Sequence, residues 1–213
     1  MKSTLFNMVA VLFTITLIAS AGVGAVNMLT EDAIAEAKAL ATKEAVANVL
    51  PAFDSNEQSE QTIDDMPIVV YKAVKGSDVV GYAVESMTKN GFGGVMRMML
   101  GFAPDGQILN VNVLQQAETP GLGTKMADED NALLRSIKDK KAWEIEFKVK
   151  KDGGELDALT AATISSRAYY DAVARAYRAY RVAAGFGDSA DGVSGATATN
   201  AEGQQAQEGG QHE

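Results

Sequence analysis

The sequence predicts an α+β domain on an apolar N-terminal helix. Three observations carry this. An uncharged apolar run opens the chain, Leu5 to Leu29. Alternating β-type runs separated by turn signals fill the middle. Helical periods are confined to the two ends, which segregates helices from a largely antiparallel sheet.

The first run reads LFNMVAVLFTITLIASAGVGAVNML. A helix needs roughly 20 apolar residues to span a bilayer. Lys2 precedes the run and Glu31 and Asp32 follow it, a bias toward a cytoplasmic N-terminus and an exported body. A cleaved signal peptide is the competitor, with Leu5 to Ile18 as its apolar region and Ala19-Ser-Ala21 as its cleavage site. The retained anchor is preferred, because Val23 to Leu29 prolongs the run past that site. Either way the domain is expected outside the cytoplasm, on the periplasmic face of the inner membrane.

Thr30 reads as an N-cap for the next stretch, Glu31 to Leu50, which is taken as a stalk that continues the membrane helix, lies on the domain and stops at Pro51. Asp54 to Asp65 is polar and acidic without apolar period, and reads as an exposed loop. Ile68 to Val74 and Val79 to Val84 flank the hairpin signal Lys75-Gly-Ser-Asp78. Val95 to Phe102 and Ile108 to Leu114 flank Ala103-Pro-Asp-Gly106. These four runs predict an antiparallel meander. The glycine-rich Lys89 to Gly94 between them serves equally as a ligand loop or a plain connection. It is not a GxGxxG opening a helix, so no dinucleotide site is indicated.

Asp128 to Lys138 predicts a short helix with Leu133, Leu134 and Ile137 inward, and Glu144 to Val149 one further strand. Ser166 is placed as the cap of a helix running to Ala184 and stopped by Gly185. Its stripe Tyr169, Val173, Ala176, Tyr177 and Tyr180 reads as core packing. Trp143 reads as a core residue in preference to one stacked on a ligand ring. Met96, Met98 and Met99 read as core or as contacts to other subunits. Asp188 to Glu213 is acidic, lacks Lys and Arg, and is expected to be disordered. The division is thus 1–29 anchor, 30–65 stalk and loop, 66–186 ligand-binding domain, 187–213 tail.

Composition removes several function classes. The net charge of -9 argues against nucleic acid as a partner. There are no cysteines and one histidine, His212, so thiolate or histidine metal sites and a Ser-His-Asp triad are hard to build. No metal site and no autonomous catalytic residue is expected, and redox chemistry would need a borrowed cofactor.

Two tracts carry the candidate chemistry. Asp157-Ala-Leu-Thr160-Ala161-Ala162-Thr163 places a threonine beside minimal side chains at a helix start, where unpaired N–H groups favour phosphate. A plain N-cap is the common alternative. Glu118-Thr119-Pro120-Gly121-Leu122-Gly123 makes a stiff loop between strand and helix, with backbone amides and Thr119 available to a planar ligand; a tight turn reads equally well. A second threonine tract, Asp191-Gly-Val-Ser-Gly-Ala-Thr197, has no strand before it or amphipathic helix after it.

The two tracts together resemble the FMN-binding G subunit of the Rnf electron-transport complex. Thr30-Glu-Asp-Ala-Ile34, Gly81-Tyr-Ala-Val84, Gly101-Phe-Ala-Pro-Asp-Gly106, Val113-Leu114, Lys151-Asp-Gly-Gly154 and Ile164-Ser-Ser-Arg-Ala168 extend the resemblance from Met1 to about Gly185. It implies FMN esterified to Thr163 through its phosphate, with Asp157, Thr160, Ala161 and Ala162 in the flavinylation signal. It implies that Glu118, Thr119, Gly121, Leu122 and Gly123 lie beside the flavin, and that Thr197 is the alternative covalent site. It further implies a separate flavin transferase, and partner subunits in a membrane complex that passes electrons between ferredoxin and NAD while exporting ions. Two positions depart from the family pattern: Ala161 replaces a usual glycine and Gln116 a frequent histidine. The C subunit of the sodium-translocating quinone reductase, a stand-alone flavoprotein, and a flavin-free anchored binding module remain as alternatives.

Overall fold

The computed structural model describes residues 5–187. A single helix, α1 (Leu5–Val49), leads into a five-stranded antiparallel sheet in the order β1 (Ser55–Ile63), β2 (Met66–Lys75), β3 (Asp78–Gly91), β4 (Gly94–Phe102), β5 (Ile108–Gln115). Short helical turns and α2 (Ala132–Ile137) follow, and α3 (Thr163–Ala183) closes the fold. The predicted α+β class and meander are what the chain adopts. The tail from 188 onward, with Thr197, lies outside the described residues.

The anchor and the stalk are one helix, with the stalk continuing the apolar segment as expected. Thr30 is therefore an interior residue and not an N-cap; its hydroxyl donates back to the Val26 carbonyl at 2.9 Å, as mid-helix threonines do. Nothing between Leu29 and Glu31 breaks the helical bonding, since both the apolar and the charged stretch are rich in helix formers. The stalk does not lie along the domain either. Only Ala45, Val46, Val49 and Leu50 are buried on the sheet, with Ala73, Ala83 and Met99. Gly101 makes the approach close: a Cβ there would stand 1.9 Å from the Val49 carbonyl oxygen. Asn110 donates to the Asn48 carbonyl at 3.1 Å and ties the same turn to β5.

The expected loop at 54–65 is strand β1. Its residues pair with β2 from Ser55↔Val74 to Ile63↔Met66. Most of its side chains are exposed, so no apolar alternation marks it. It is an edge strand, where polar and charged side chains protect an open ladder. Asp64 and Asp65, both left-handed at φ 52 and φ 57, form the two-residue turn. That geometry matches strand twist and tolerates Asp.

The opposite face of the sheet holds the main core. Met96, Met98, Leu100 and Phe102 of β4 meet Tyr169, Val173, Ala176 and Tyr180 of α3, all buried. Phe102 stacks on Tyr180 with ring centroids 4.9 Å apart. Met99 belongs to the α1 side, so the methionine run serves both faces. The predicted helical stripe is core as expected, with Tyr177 partly buried at its margin. Polar pegs fix the register of α3. Ser86 donates to the Ala172 carbonyl at 2.8 Å, and Thr88 to Asp171 at 2.6 Å. Buried Arg175 binds Asp171, Asp64 and the Met87 carbonyl.

Two further expectations fail. Glu144 to Val149 is not a strand: Ala142–Glu144 is a helical turn, and Val149 makes only an isolated bridge to Leu156. The alternation of Ile145, Phe147 and Val149 reports one side turned to the core, which packing satisfies without a ladder. Trp143 is 56% exposed and not core. Its ring covers the β4–β5 turn at Gly106, where a Cβ would come within 2.6 Å of it. α2 is shorter than predicted but buries Leu133, Leu134 and Ile137 as expected, and Asn131 caps it.

Candidate flavin site

The β3–β4 hairpin, the loop after β5 and the start of α3 converge at one place. α3 begins at Thr163, and its first intrahelical bond runs from Ser166 N–H to the Ala162 carbonyl at 3.0 Å. The amides of Thr163, Ile164 and Ser165 therefore have no partner within the helix. No side chain caps this end. Ser166 is not the cap expected of it. It sits buried inside the first turn, accepting from Leu159 N–H at 2.9 Å and donating to the Ala162 carbonyl. The far end is as expected. Gly185, at φ 78, makes the left-handed stop, with Phe186 N–H bonded to the Arg181 carbonyl, the usual way a glycine ends a helix.

Glu118 is the hub of the site. It is 5% exposed. One carboxylate oxygen accepts from Gly93 N–H at 3.2 Å at the tip of the β3–β4 hairpin, and the other accepts from the Ser165 hydroxyl. Gly123 lies against this pair, where a Cβ would be 2.8 Å from both Glu118 Cβ and Ser165 Oγ. Gln116 accepts from Glu118 N–H at 2.7 Å and so holds the loop backbone.

The result is a cleft of about 420 Å³ beside Thr163, within the range of small-molecule sites. Of the residues singled out from sequence, Thr119, Leu122, Gly123, Ala161, Ala162 and Thr163 line it. The remaining four lie outside the lining. Glu118 is buried behind it. Gly121, at φ 74, makes the turn and donates to Thr124 Oγ1 at 3.0 Å. Thr160 is exposed beside it. Asp157 faces away, bound to Lys150 Nζ at 2.5 Å and to Ser136 at 3.3 Å. The Lys150 hydrogen bond holds its carboxyl below the usual carboxylate range.

The other lining residues, Phe92, Lys151, Ile164 and Ser165, were not among the expected site residues, although the Lys89 to Gly94 loop that carries Phe92 was weighed as a ligand loop. Phe92, Ile164 and Leu122 form an exposed apolar rim. Lys151 donates from Nζ to Thr163 Oγ1 at 3.1 Å. Phe92 and Lys151 come from turns distant in the chain, and only the glycines beside them hinted at a close approach. Ala161 stands at φ 60, a left-handed conformation that glycine adopts without strain. The alanine is therefore a local cost that a glycine would not carry. Among the described residues, no cluster of acids or histidine suits a metal ion.

These groups fit a phosphorylated planar ligand. Unpaired amides and one ammonium suit a phosphate, and the apolar rim suits a ring system. The cradle at Gly123 admits no side chain. In sequence comparison, residues 91–178 match the model of the FMN-binding domain, which sets the class of this fold and site. The G subunit of the ion-translocating oxidoreductase complex of Shewanella amazonensis is 35% identical over 173 residues, covering 75% of this chain and 80% of the relative. The Yersinia pestis G subunit is 34% identical, covering 76% and 85%, and that of Haemophilus influenzae 33%, covering 77% and 81%. The chain belongs to the G-subunit family of ion-translocating oxidoreductase complexes, the family its motifs resemble.

Proposed function

We propose that this chain is a membrane-anchored electron carrier that holds FMN covalently on Thr163 within an ion-translocating oxidoreductase complex. The observation that carries the reading is Thr163 itself. It is the first residue of α3, at the mouth of the cleft, between unpaired amides and Lys151. Such an environment favours a phosphate ester over a plain helix start.

The bond is a phosphoester. The Thr163 oxygen replaces adenylate on the flavin phosphorus of FAD, a P–O–P bond breaks, AMP leaves and the hydroxyl proton is released. A separate flavin transferase is the expected catalyst, as the resemblance implies. FMN, once held, supplies electron transfer in single steps or in pairs. The chain's own residues give it a fixed place. The α3 amides and Lys151 hold the phosphate end, and Phe92, Leu122 and Ile164 offer an apolar surface to the ring. Glu118 ties the hairpin tip to α3 beneath them.

The anchor reading rests on α1, which is long and apolar enough to cross a membrane and is exposed throughout its apolar part. We infer segments 1–29 as anchor, 30–65 as stalk and connection, 66–186 as flavin domain and 187–213 as tail, with the domain on the extracytoplasmic side. An exported flavin held by weak contacts would be lost by dilution, and a covalent link prevents that.

The test is in-gel fluorescence of the full chain produced with a flavin transferase, beside Thr163→Ala and Thr197→Ala. Fluorescence that survives denaturation and disappears with Thr163→Ala alone is the expected result. Loss with Thr197→Ala alone moves the flavin to the tail. No fluorescence in the wild type favours a flavin-free binding module. Protease accessibility in oriented vesicles tests the side of the membrane.

A further inference from the structure

The turn that carries Lys151 is held from three sides. Arg167, in the second turn of α3, grips Asp152 with two bonds, Nε–Oδ2 at 2.7 Å and Nη2–Oδ1 at 2.5 Å. Gly153, at φ 89, closes the turn with a left-handed residue. Gly154 lies so close to the preceding chain that a Cβ would stand 2.2 Å from the Lys148 carbonyl oxygen. The Arg167 pair also spans from the turn to the helix that begins at Thr163. The turn is thus fixed relative to the threonine it faces.

The two lysines of this turn do different things. Lys150 Nζ meets Asp157 at 2.5 Å, neutralising the acid of the threonine tract and drawing it away from the cleft. Lys151 Nζ meets Thr163 Oγ1 at 3.1 Å and forms no salt bridge with a carboxylate among the described residues. Asp152, its neighbour, is occupied by Arg167. The local charge presented to the Thr163 oxygen is therefore positive, although the chain carries a net charge of -9.

We propose that Lys151 is the positioning residue for the phosphate at Thr163. Its ammonium steers the incoming flavin phosphate to this hydroxyl and afterwards pairs with the negative charge that the phosphodiester retains. The inference rests on the reading of Thr163 as the attachment site. It goes further by explaining why Thr163 is chosen over Thr160, which is exposed nearby but has no ammonium within hydrogen-bond distance among the described residues. Lysine suits the task as a compact point charge on a flexible stem, and a hydrogen bond between ionised partners is about twice as strong as a neutral one.

The test uses the full chain in detergent, with FAD and a flavin transferase. Three variants, Lys151→Met, Lys151→Arg and Lys151→Glu, are compared with wild type. Peptide mass spectrometry gives the initial rate of flavin loading at Thr163, and fluorescence anisotropy gives the mobility of flavin already attached. Lys151→Met is expected to load about tenfold more slowly and Lys151→Glu more slowly still, while Lys151→Arg recovers to within about threefold. The loaded Lys151→Met protein should show lower anisotropy, and added salt should bring wild type toward it. The unloaded Lys151→Met protein should melt at the wild-type temperature, since this side chain is exposed.

Equal loading and equal anisotropy in Lys151→Met would overturn the role of Lys151 and leave the Thr163 reading intact. Failure of Lys151→Arg to rescue would overturn the charge account. A lowered melting point of unloaded Lys151→Met would replace it with a structural role. Flavin mapped to another residue in the wild type would overturn both readings together.

Discussion

The Glu118 carboxylate accepts a hydrogen bond from the Ser165 hydroxyl across 47 residues of sequence, and both groups are buried. Through its second oxygen Glu118 also holds Gly93 N–H. One carboxylate thereby joins the hairpin tip that carries Phe92 to the helix start that carries Thr163. Removing it leaves the buried Ser165 hydroxyl without its partner, at about 1–3 kcal/mol, and hands Gly93 N–H to water. Glu118→Ala should be destabilised by roughly that amount, with faster proteolysis at the β3–β4 tip. Ser165→Ala should be milder, because the Gly93 bond survives. Chemical denaturation of the two variants checks the order, and a larger loss in Ser165→Ala would contradict it.

Ala161 occupies the left-handed region, where a Cβ is disfavoured by about 1–2 kcal/mol. Ala161→Gly should relieve that strain at the cost of a more flexible unfolded chain. The expected net is a stabilisation of about 0.5–1 kcal/mol, read as a higher denaturant midpoint. Flavin loading should be at least as fast. Ala161→Val should be destabilised, and a Val variant as stable as wild type would sink the strain argument.

Gly101 lets the end of α1 sit on β4. A methyl group there meets the Val49 carbonyl carbon and oxygen, which are backbone and cannot rotate aside. Gly101→Ala should cost about 1–3 kcal/mol and loosen the helix–sheet junction. Hydrogen exchange should rise at Ala45 to Leu50 while α3 stays protected. Unchanged exchange at that junction would show the contact to be unimportant.

Asp64 gives a pH dependence whose sign can be fixed. The hydrogen bond from Arg178 leads in lowering its carboxyl below 3.8, with charge from Arg178 and Arg175 assisting and burial opposing. A depressed acid contributes stability above its unfolded pKa and loses it as pH falls through the folded value. The contribution should therefore be complete above about pH 4 and fade below that. Because the Asp64 side chain is 43% exposed, salt should shrink it. Melting curves of wild type and Asp64→Asn from pH 2 to 7 should converge at the acid end. A constant difference across that range would remove Asp64 from the account.

Strands β2 to β5, the core face of α3 and the apolar half of α1 were legible because each keeps a clear period. β1 was not, since an edge strand exposed on both faces has no alternation to read. Its real signal was the Asp64-Asp65 pair, a turn that tolerates two left-handed residues. Ile145, Phe147 and Val149 misled in the other direction: they alternate because one side packs, with no strand beside them. In the site, Thr163 and the 118–123 loop stood out through glycine, proline and small residues. Phe92 and Lys151 did not, because their proximity to Thr163 is a product of the meander and the Arg167–Asp152 clamp. Glu118 stood out from sequence only as part of the 118–123 loop, and its bonds to Gly93 and Ser165 were not legible there.

The uninterrupted helix α1 also sets a phase. It has 45 residues and no proline to act as a hinge. At a rise of about 1.5 Å per residue that is roughly 67 Å from end to end. The helical bonding runs unbroken through Ser20, Gly22 and Gly24, so the heading is carried from one end to the other. The domain is seated on the last turn, so the bearing of the cleft about the helix axis is dictated by the number of residues below it. One residue added to the exposed stretch would swing Thr163 round by about 100°, whereas seven would return it nearly to its original heading about 10 Å higher. The length of this helix therefore specifies a compass direction as well as a height.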